Sequence, residues 1–224
     1  MDSSLNQLTY NRLKKDILTL ELKPGDAVSA AKIADRYEVS RTPAREALVK
    51  LETEGMVNIK PQSKSYVSQI DIDKARQEWF IRTSLEIAIV DRFVECVTKE
   101  DIDFMRDCNN KMKQLAQIKK SQEVNYQYQA ADNDFHEVAY RAVGETLAAS
   151  VIATNRAHYS RLRFLTDSDI EYRRRTIAGH DELIGLLMKK DAKGYKKALK
   201  THLEYIITDV EEFEIKYPEY FVEK

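Results

Sequence analysis

Cysteine is nearly absent from this 224-residue chain, and the two present, Cys96 and Cys108, stand 12 residues apart. Two thiols cannot build the disulfide framework of a small secreted domain, and their spacing matches no familiar metal pair. Glycine (6) and proline (4) are also scarce, so little of the chain is suited to flexible linkers. A hydrophobic fraction of 43% excludes disorder, yet no run approaches the roughly 18 apolar residues of a membrane span. The amino terminus shows no charged leader followed by an apolar stretch. A soluble, cytoplasmic protein with no membrane partner is therefore expected. An excess of one charge is missing too: the formal net charge is −1, with 11 Lys/Arg against 9 Asp/Glu in residues 1–70. Affinity for nucleic acid would have to come from local placement of charge and from dimerisation, not from a polybasic coat. Nucleophile elbows, Gly-rich phosphate loops, His-Glu-x-x-His and paired-cysteine redox sites are all lacking.

What is present begins with an opening helix, Leu5 to Leu20, ended by Leu22-Lys23-Pro24-Gly25. Ala31, Ile33, Ala34 and Tyr37 then give a short packed helix from Ala30 to Tyr37. After Glu38-Val39-Ser40, a second helix buries Ala44, Ala47, Leu48 and Leu51, with Ser40 or Thr42 as its cap and Pro43 in its first turn. Its exposed amino-terminal end carries Arg41, Thr42 and Arg45. Such a helix suits a major groove, where arginine meets guanine edges or phosphate; an ordinary surface helical hairpin is the bland alternative. Gly55 ends the helix, and Met56 to Ile59 followed by Ser65 to Val67 predicts a two-stranded ribbon around Pro61 to Lys64. Lys60 and Lys64 could meet phosphate from that wing, or simply be solvated. The N-terminal region, 1–70, thus reads as a winged helix-turn-helix.

From Asp71 the texture changes to long helical periodicity, predicting helices over 71–95, 99–119, 122–142, 145–165, 169–189 and 191–215. The expected fold is mainly α, with an all-helical bundle over 71–224. All four histidines lie there, at 136, 158, 180 and 202. Asp132 and His136 share a helix face, and His180 and His202 sit in helical phase with Ile184, Leu187, Leu199 and Ile206. Imidazole and carboxylate donors suit zinc, nickel, manganese or iron; separately satisfied histidines are the competing reading, and for His158 packing is the simpler role. Arg82 and Glu86 form an i,i+4 pair that either holds a ligand carboxylate or is a local salt bridge. The run Arg173-Arg174-Arg175 reads as a solvated face.

Two sets of residues resemble the GntR family of bacterial transcription regulators, in its FadR-like branch with an FCD ligand domain. The first is Leu22-Lys23-Pro24-Gly25-Asp26 with Ile33 to Leu48 and Leu51 to Gly55; the second is Asp132-Asn133-Asp134-Phe135-His136, Gly179-His180 to Ile184, Lys190-Asp191-Ala192 and Thr201-His202-Leu203. The resemblance implies a homodimer on an inverted-repeat operator, with a metal or organic acid sensed in the helical part. It implies DNA contact by Arg41 and Arg45, metal ligation by Asp132, His136, His180 and His202, and an effector carboxylate at Arg82. Two departures stand out: Lys64 where members commonly have a wing-tip glycine, and Glu145 where asparagine often follows the glycine at Gly144. A metal-dependent enzyme acting on a small organic acid is the alternative that the Asp132/histidine set leaves open.

Overall fold

The computed structural model describes residues 2–60 and 64–223, with side chains from Leu5 onward. Helix α1 (Asp2–Leu18) leads to a short strand β1 (Ala27–Val28), then α2 (Ala30–Tyr37), α3 (Arg41–Thr53), β2 (Val57–Asn58) and β3 (Ser65–Val67). Helix α2 starts because the Ser29 hydroxyl accepts from the Lys32 N–H, and it ends at Glu38, whose left-handed backbone returns an N–H to Ala34. Ser40 takes the N-cap position of α3 with extended backbone but makes no side-chain capping bond. Pro43 sits in the first turn, where its missing N–H costs nothing. Leu13, Ile17, Ile33, Ala44, Ala47, Leu51, Met56, Val57 and Val67 close one apolar core around these elements.

The wing has three strands rather than the expected two, all antiparallel in the order β1-β3-β2, with Ala27 opposite Tyr66 and Val57 opposite Val67. A two-residue strand carries no periodicity, which is why β1 is silent in the sequence. The turn at Gly25 (φ +86°) delivers it, and the Gly25 N–H is held by the Val67 carbonyl. The ribbon tip, Pro61 to Ser63, lies outside the described residues.

The bundle comprises α4 (Ile72–Cys96), α5 (Lys99–Gln117), α6 (Gln122–Val143), α7 (Thr146–Thr154), α8 (Ala157–Thr166), α9 (Ile170–Met188), α10 (Ala192–Thr208) and α11 (Val210–Lys216). Side chains start most of them: Asp71 caps α4, Thr98 and Asp101 form a reciprocal capping box on α5, and Ser121, Asp169 and Asp191 cap α6, α9 and α10. Two single helices expected from periodicity are each broken in two. The stretch 145–165 divides at Asn155-Arg156, where Thr154 and Asn155 side chains bond the carbonyls of Ser150 and Val151 in competition with the helix. Glu78 of α4 then accepts from the N–H groups of His158 and Tyr159 and so restarts the chain as α8. The stretch 191–215 divides at Asp209, which is tied to Arg175 and Thr208.

The N-terminal region and the bundle share apolar packing. Ala157 of α8 joins the winged core, while Leu20 packs with Ile72, Tyr159, Leu162 and Phe213 in the bundle. The C-terminal segment returns to this seam: Ile70 exchanges backbone hydrogen bonds with Tyr220 and Val222 and pairs with Phe221. Lys15 reaches across to Glu123 at 2.7 Å. No described helix is long and apolar enough to cross a membrane.

Candidate metal centre, ligand cavity and DNA face

Arg41, Thr42 and Arg45 are exposed on the amino-terminal half of α3, while Pro43, Ala44, Ala47, Leu48 and Leu51 face the core. Lys60 and Lys64 are exposed on either side of the ribbon tip, and Lys64 lines one groove with Arg45 and with Lys32 of α2. Lys32, whose ammonium rests on the Ala27 carbonyl at 3.1 Å, had no sequence signal beyond its charge. The groove's open cations are suited to a polyanion.

In the bundle, α6, α9 and α10 bring Asp132, His136, His180 and His202 together. One donor atom from each lies within 4.8 Å of all the others, and all four residues are buried. His136 Nε2 is 3.4 Å from His180 Nε2 and 3.3 Å from His202 Nε2. Asp132 Oδ1 is 3.5 Å from His180 Nε2, and its Oδ2 accepts from Arg163 at 2.5 Å. The fourth histidine, His158, stands apart: its Nδ1 accepts from the Asp71 N–H at 3.0 Å.

These donors fit a metal. Ligand bonds of about 2.0–2.1 Å place neighbouring donor atoms roughly 3–3.4 Å apart, the spacing found from His136 Nε2 to the Nε2 atoms of His180 and His202. Glu86, an acceptor when ionised, lies 2.9 Å from His136 Nδ1, so Nδ1 carries the proton and the Nε2 lone pair faces the cluster. Glu86 is oriented in turn by Arg82 at 2.6 Å. Burial pushes Glu86 up, but Arg82 and His136 more than offset it and bring it down to about 2. Asp132 is likewise raised by burial and held well below the carboxylate range by Arg163 and the adjacent histidines. Burial, then His202, keeps His180 well below the ordinary imidazole value; burial, then His136, takes His202 to about 3. The result is neutral His180 and His202 rings and an ionised carboxylate converging with His136 Nε2 in a buried site, the chemistry of a divalent transition-metal centre.

Gly179 makes this packing feasible. A Cβ there would lie 2.5 Å from His202 Nδ1, so only glycine lets the α9 backbone approach that ring. Phe135 stacks on His180 with ring centroids 3.8 Å apart and fixes its plane.

Beside the cluster lies a cavity of about 370 Å³ lined by Arg82, Glu86, His136, Tyr140, Ile152 and Arg156 among others. His136 thus belongs to both cluster and cavity, and Arg82 faces the cavity while paired to Glu86. From here α8 runs to the seam below the wing. Arg163 of α8 binds Asp132; Arg161, fully buried, donates to the Ser68 carbonyl and hydroxyl and to Ala157; Ser68 Oγ donates to Gly55 O at 2.6 Å. Burial, then Arg161, lowers His158 to about 3, so it is a neutral acceptor at this seam.

Sequence reasoning missed this second set of contacts, since Arg161, His158 and Ser68 have no regular spacing that relates them. The expectation of a solvated Arg173 to Arg175 face is corrected at Arg173, which is fully buried and donates to the carbonyls of Asp167 and Leu115 and to Asn125. A charge run does not reveal that one member points inward, where three acceptors await it.

The fold is that of a winged helix-turn-helix regulator with an appended all-helical domain. The chain belongs to the GntR family of bacterial regulatory proteins and carries an FCD domain, the two family models matching residues 5–67 and 79–205. It is 26% identical over 220 residues to the HTH-type transcriptional repressor RspR of Escherichia coli K12, covering 98% of this chain and 95% of that one. The Nta operon transcriptional regulator of Aminobacter aminovorans is 25% identical over 170 residues, 76% of this chain and 77% of the relative. In fold it is similar to E. coli McbR/YncC, with a TM-score of 0.77 at 22% identity over 93% of this chain and 98% of that one. A putative transcriptional regulator GntR from Rhodococcus sp. RHA1 gives a TM-score of 0.76 at 17% identity, with the same coverage. Membership places the chain among non-catalytic regulators and sets aside the metal-dependent enzyme.

Proposed function

We propose that this chain is a cytoplasmic, homodimeric repressor whose grip on operator DNA is set by a small carboxylate bound beside a metal. Residues 1–70 form the DNA-binding part: Arg41, Thr42 and Arg45 enter the major groove of each half-site, and Lys60 and Lys64 rest on phosphate. Residues 71–224 dimerise and sense. Asp132, His136, His180 and His202 hold a divalent ion, with zinc, nickel and manganese the candidates. When bound, the metal supplies a Lewis-acid centre able to accept a carboxylate oxygen, while Arg82 orients Glu86 and faces the same cavity. The repressor assignment draws on the similarity to RspR, whose own description is that of a repressor.

The observation that carries the sensing half is the course of α8. Arg156, the residue capping its start, lines the cavity; Arg163 binds Asp132; His158 and Arg161 bind Asp71 and Ser68 beneath the wing. Cavity and wing are joined by one fully buried helix. A ligand shifts the equilibrium only if it binds the DNA-competent and incompetent states unequally, and a helix engaged at both ends gives it that handle. The test is selection of binding sites from random DNA with the wild type, Arg41→Ala and Arg45→Ala, together with elemental analysis of untagged protein. Enrichment of an inverted repeat by the wild type and its loss in both variants is the expected result. Selection of no sequence at all by metal-loaded protein would remove the regulatory reading.

A further inference from the structure

Four guanidinium groups, Arg82, Arg141, Arg156 and Arg163, surround the cavity and its cluster, and they differ in how their charge is met, Arg141 reaching Asp101 at 3.6 Å. Arg163 has Asp132 as a full countercharge, and Arg82 has Glu86. Arg156 has neither. Its one recorded hydrogen bond goes to the amide oxygen of Asn133 at 3.0 Å, an acceptor that it shares with Arg163 at 2.9 Å. Among the described residues no carboxylate lies within ion-pair distance of it. Burial, then repulsion from Arg163 and Arg82, pushes its guanidinium down to about 10. Arg156 is therefore a partly buried cation that lines the cavity with only a neutral hydrogen-bond partner, while Asp132 and the cavity-lining Glu137 attract it from beyond ion-pair distance. The same cavity is lined by Tyr140, which is 3% exposed and whose buried hydroxyl has no hydrogen-bond partner.

We infer that Arg156, rather than Arg82, anchors the effector's carboxylate, and that Tyr140 donates to a second oxygen of the same ligand. The ligand class is a small carboxylic acid bearing a further hydroxyl or carboxylate. Arg82 is then a positioning residue: its charge is already met by Glu86, which holds the His136 tautomer, and recruiting it to a ligand would strip that support. An anion on Arg156 instead supplies the direct contact that neither Asp132 nor Glu137 makes, with the planar fork of the guanidinium matching a carboxylate. Arg156 also lines a second cleft, of about 300 Å³, between the bundle and Lys14, Lys15 and Met56 of the DNA-binding part. Capture of its side chain by a ligand is therefore felt directly at the seam. This inference rests on the carboxylate-sensor reading above, and its failure is separable from the failure of that reading.

The experiment is calorimetric titration of the metal-loaded full chain with acetate, glycolate, succinate and citrate, using wild type, Arg156→Gln, Arg156→Lys, Arg82→Gln and Tyr140→Phe. Metal content and Tm are measured on each. The acids with a second oxygen function are expected to bind better than acetate. Arg156→Gln weakens the tightest of them by about 10- to 150-fold, the scale of hydrogen bonds to a charged group. It keeps its metal, and its ligand-free Tm is unchanged or higher, because a cation without a direct ion pair has been removed. Arg156→Lys falls between the two, and Tyr140→Phe weakens the second-oxygen acids but not acetate. Arg82→Gln lowers metal content. Wild-type affinity in Arg156→Gln overturns the anchor and leaves the sensor reading standing. So does a variant that loses metal or melts lower, since that is the mark of a merely structural arginine. Failure of the wild type to bind any of the four acids overturns both.

Discussion

Up to Val67, the buried polar side chains among the described residues are Thr9 and Thr19, each bonded to a carbonyl four residues back. The bundle buries four arginines, all four histidines and three acids. One region keeps a dry core and leaves its cations, Arg41, Arg45, Lys60 and Lys64, in water; the other takes charge inside, pairing Arg163 with Asp132 and Arg82 with Glu86 and meeting Arg161 and Arg173 with neutral acceptors. Exposed cations are stable without a partner, so the proposed DNA face needs no DNA to be formed. Buried charges cost several kcal/mol each unless they are paired, so the bundle's arrangement specifies what has to be present: Arg163 for Asp132, Glu86 for Arg82, and a cation for three convergent imidazoles. Mutation should accordingly act on binding alone in the first region, and on binding and stability together in the second.

The sharpest break is at the cluster. His136→Ala or His180→Ala is expected to take the metal from near one ion per chain to near none by elemental analysis. Chelation of the wild type should lower Tm, since a metal at about 1,000 times its Kd stabilises by about 4 kcal/mol. Next comes the DNA face: Arg41→Ala and Arg45→Ala should each weaken the specific complex by about 1–3 kcal/mol, roughly 5- to 150-fold, with Tm unmoved. If either variant melts lower, the separation of binding from stability in this region is wrong. A third effect is acid sensitivity at the seam. His158 is held at about 3 against an ordinary 6.5, so between those values the unfolded chain binds the extra proton. Stability is therefore full above about 6.5 and falls as the pH drops toward 3; His158→Asn should flatten part of that slope in urea melts. The remaining part is shared by His180 and His202, lowered in the same direction, and at the acid end by the depressed carboxyls of Glu86 and Asp132. The smallest effects sit behind the ligands. Glu86→Gln and Gly179→Ala should each reduce metal affinity by about 10- to 100-fold, the first by loosening His136 and the second by pushing His202 aside.

The same contrast explains what could be read from the chain. The winged helix-turn-helix was legible because its exposed arginines share one helix with its core stripe: the outward placement of Arg41 and Arg45 follows from the same periodicity that buries Ala44 and Leu48. Strand β1 was not, because two residues between Gly25 and Ser29 hold no pattern. In the bundle, Asp132 and His136 announce themselves by i,i+4 spacing, yet only the fold brings His180 and His202 to them from two later helices. The Arg82 and Glu86 pair was visible as a pair, and its attachment to His136 was not. Gly179 beside His180 could have signalled close backbone approach, but which ring it admits is a tertiary fact. Asn155 and Arg156 look like helix interior until Glu78, some 80 residues earlier, is seen to cap the new start.

The central claim is that the cavity controls the DNA face through α8. Operator affinity of the metal-loaded chain, titrated with and without a saturating amount of whichever of the four acids binds it most tightly, tests that claim most directly. A change of about 5- to 150-fold, the range of typical coupling energies, abolished in Arg161→Met with metal retained, is the result expected if α8 carries the signal. Equal operator affinity at full cavity occupancy would contradict it.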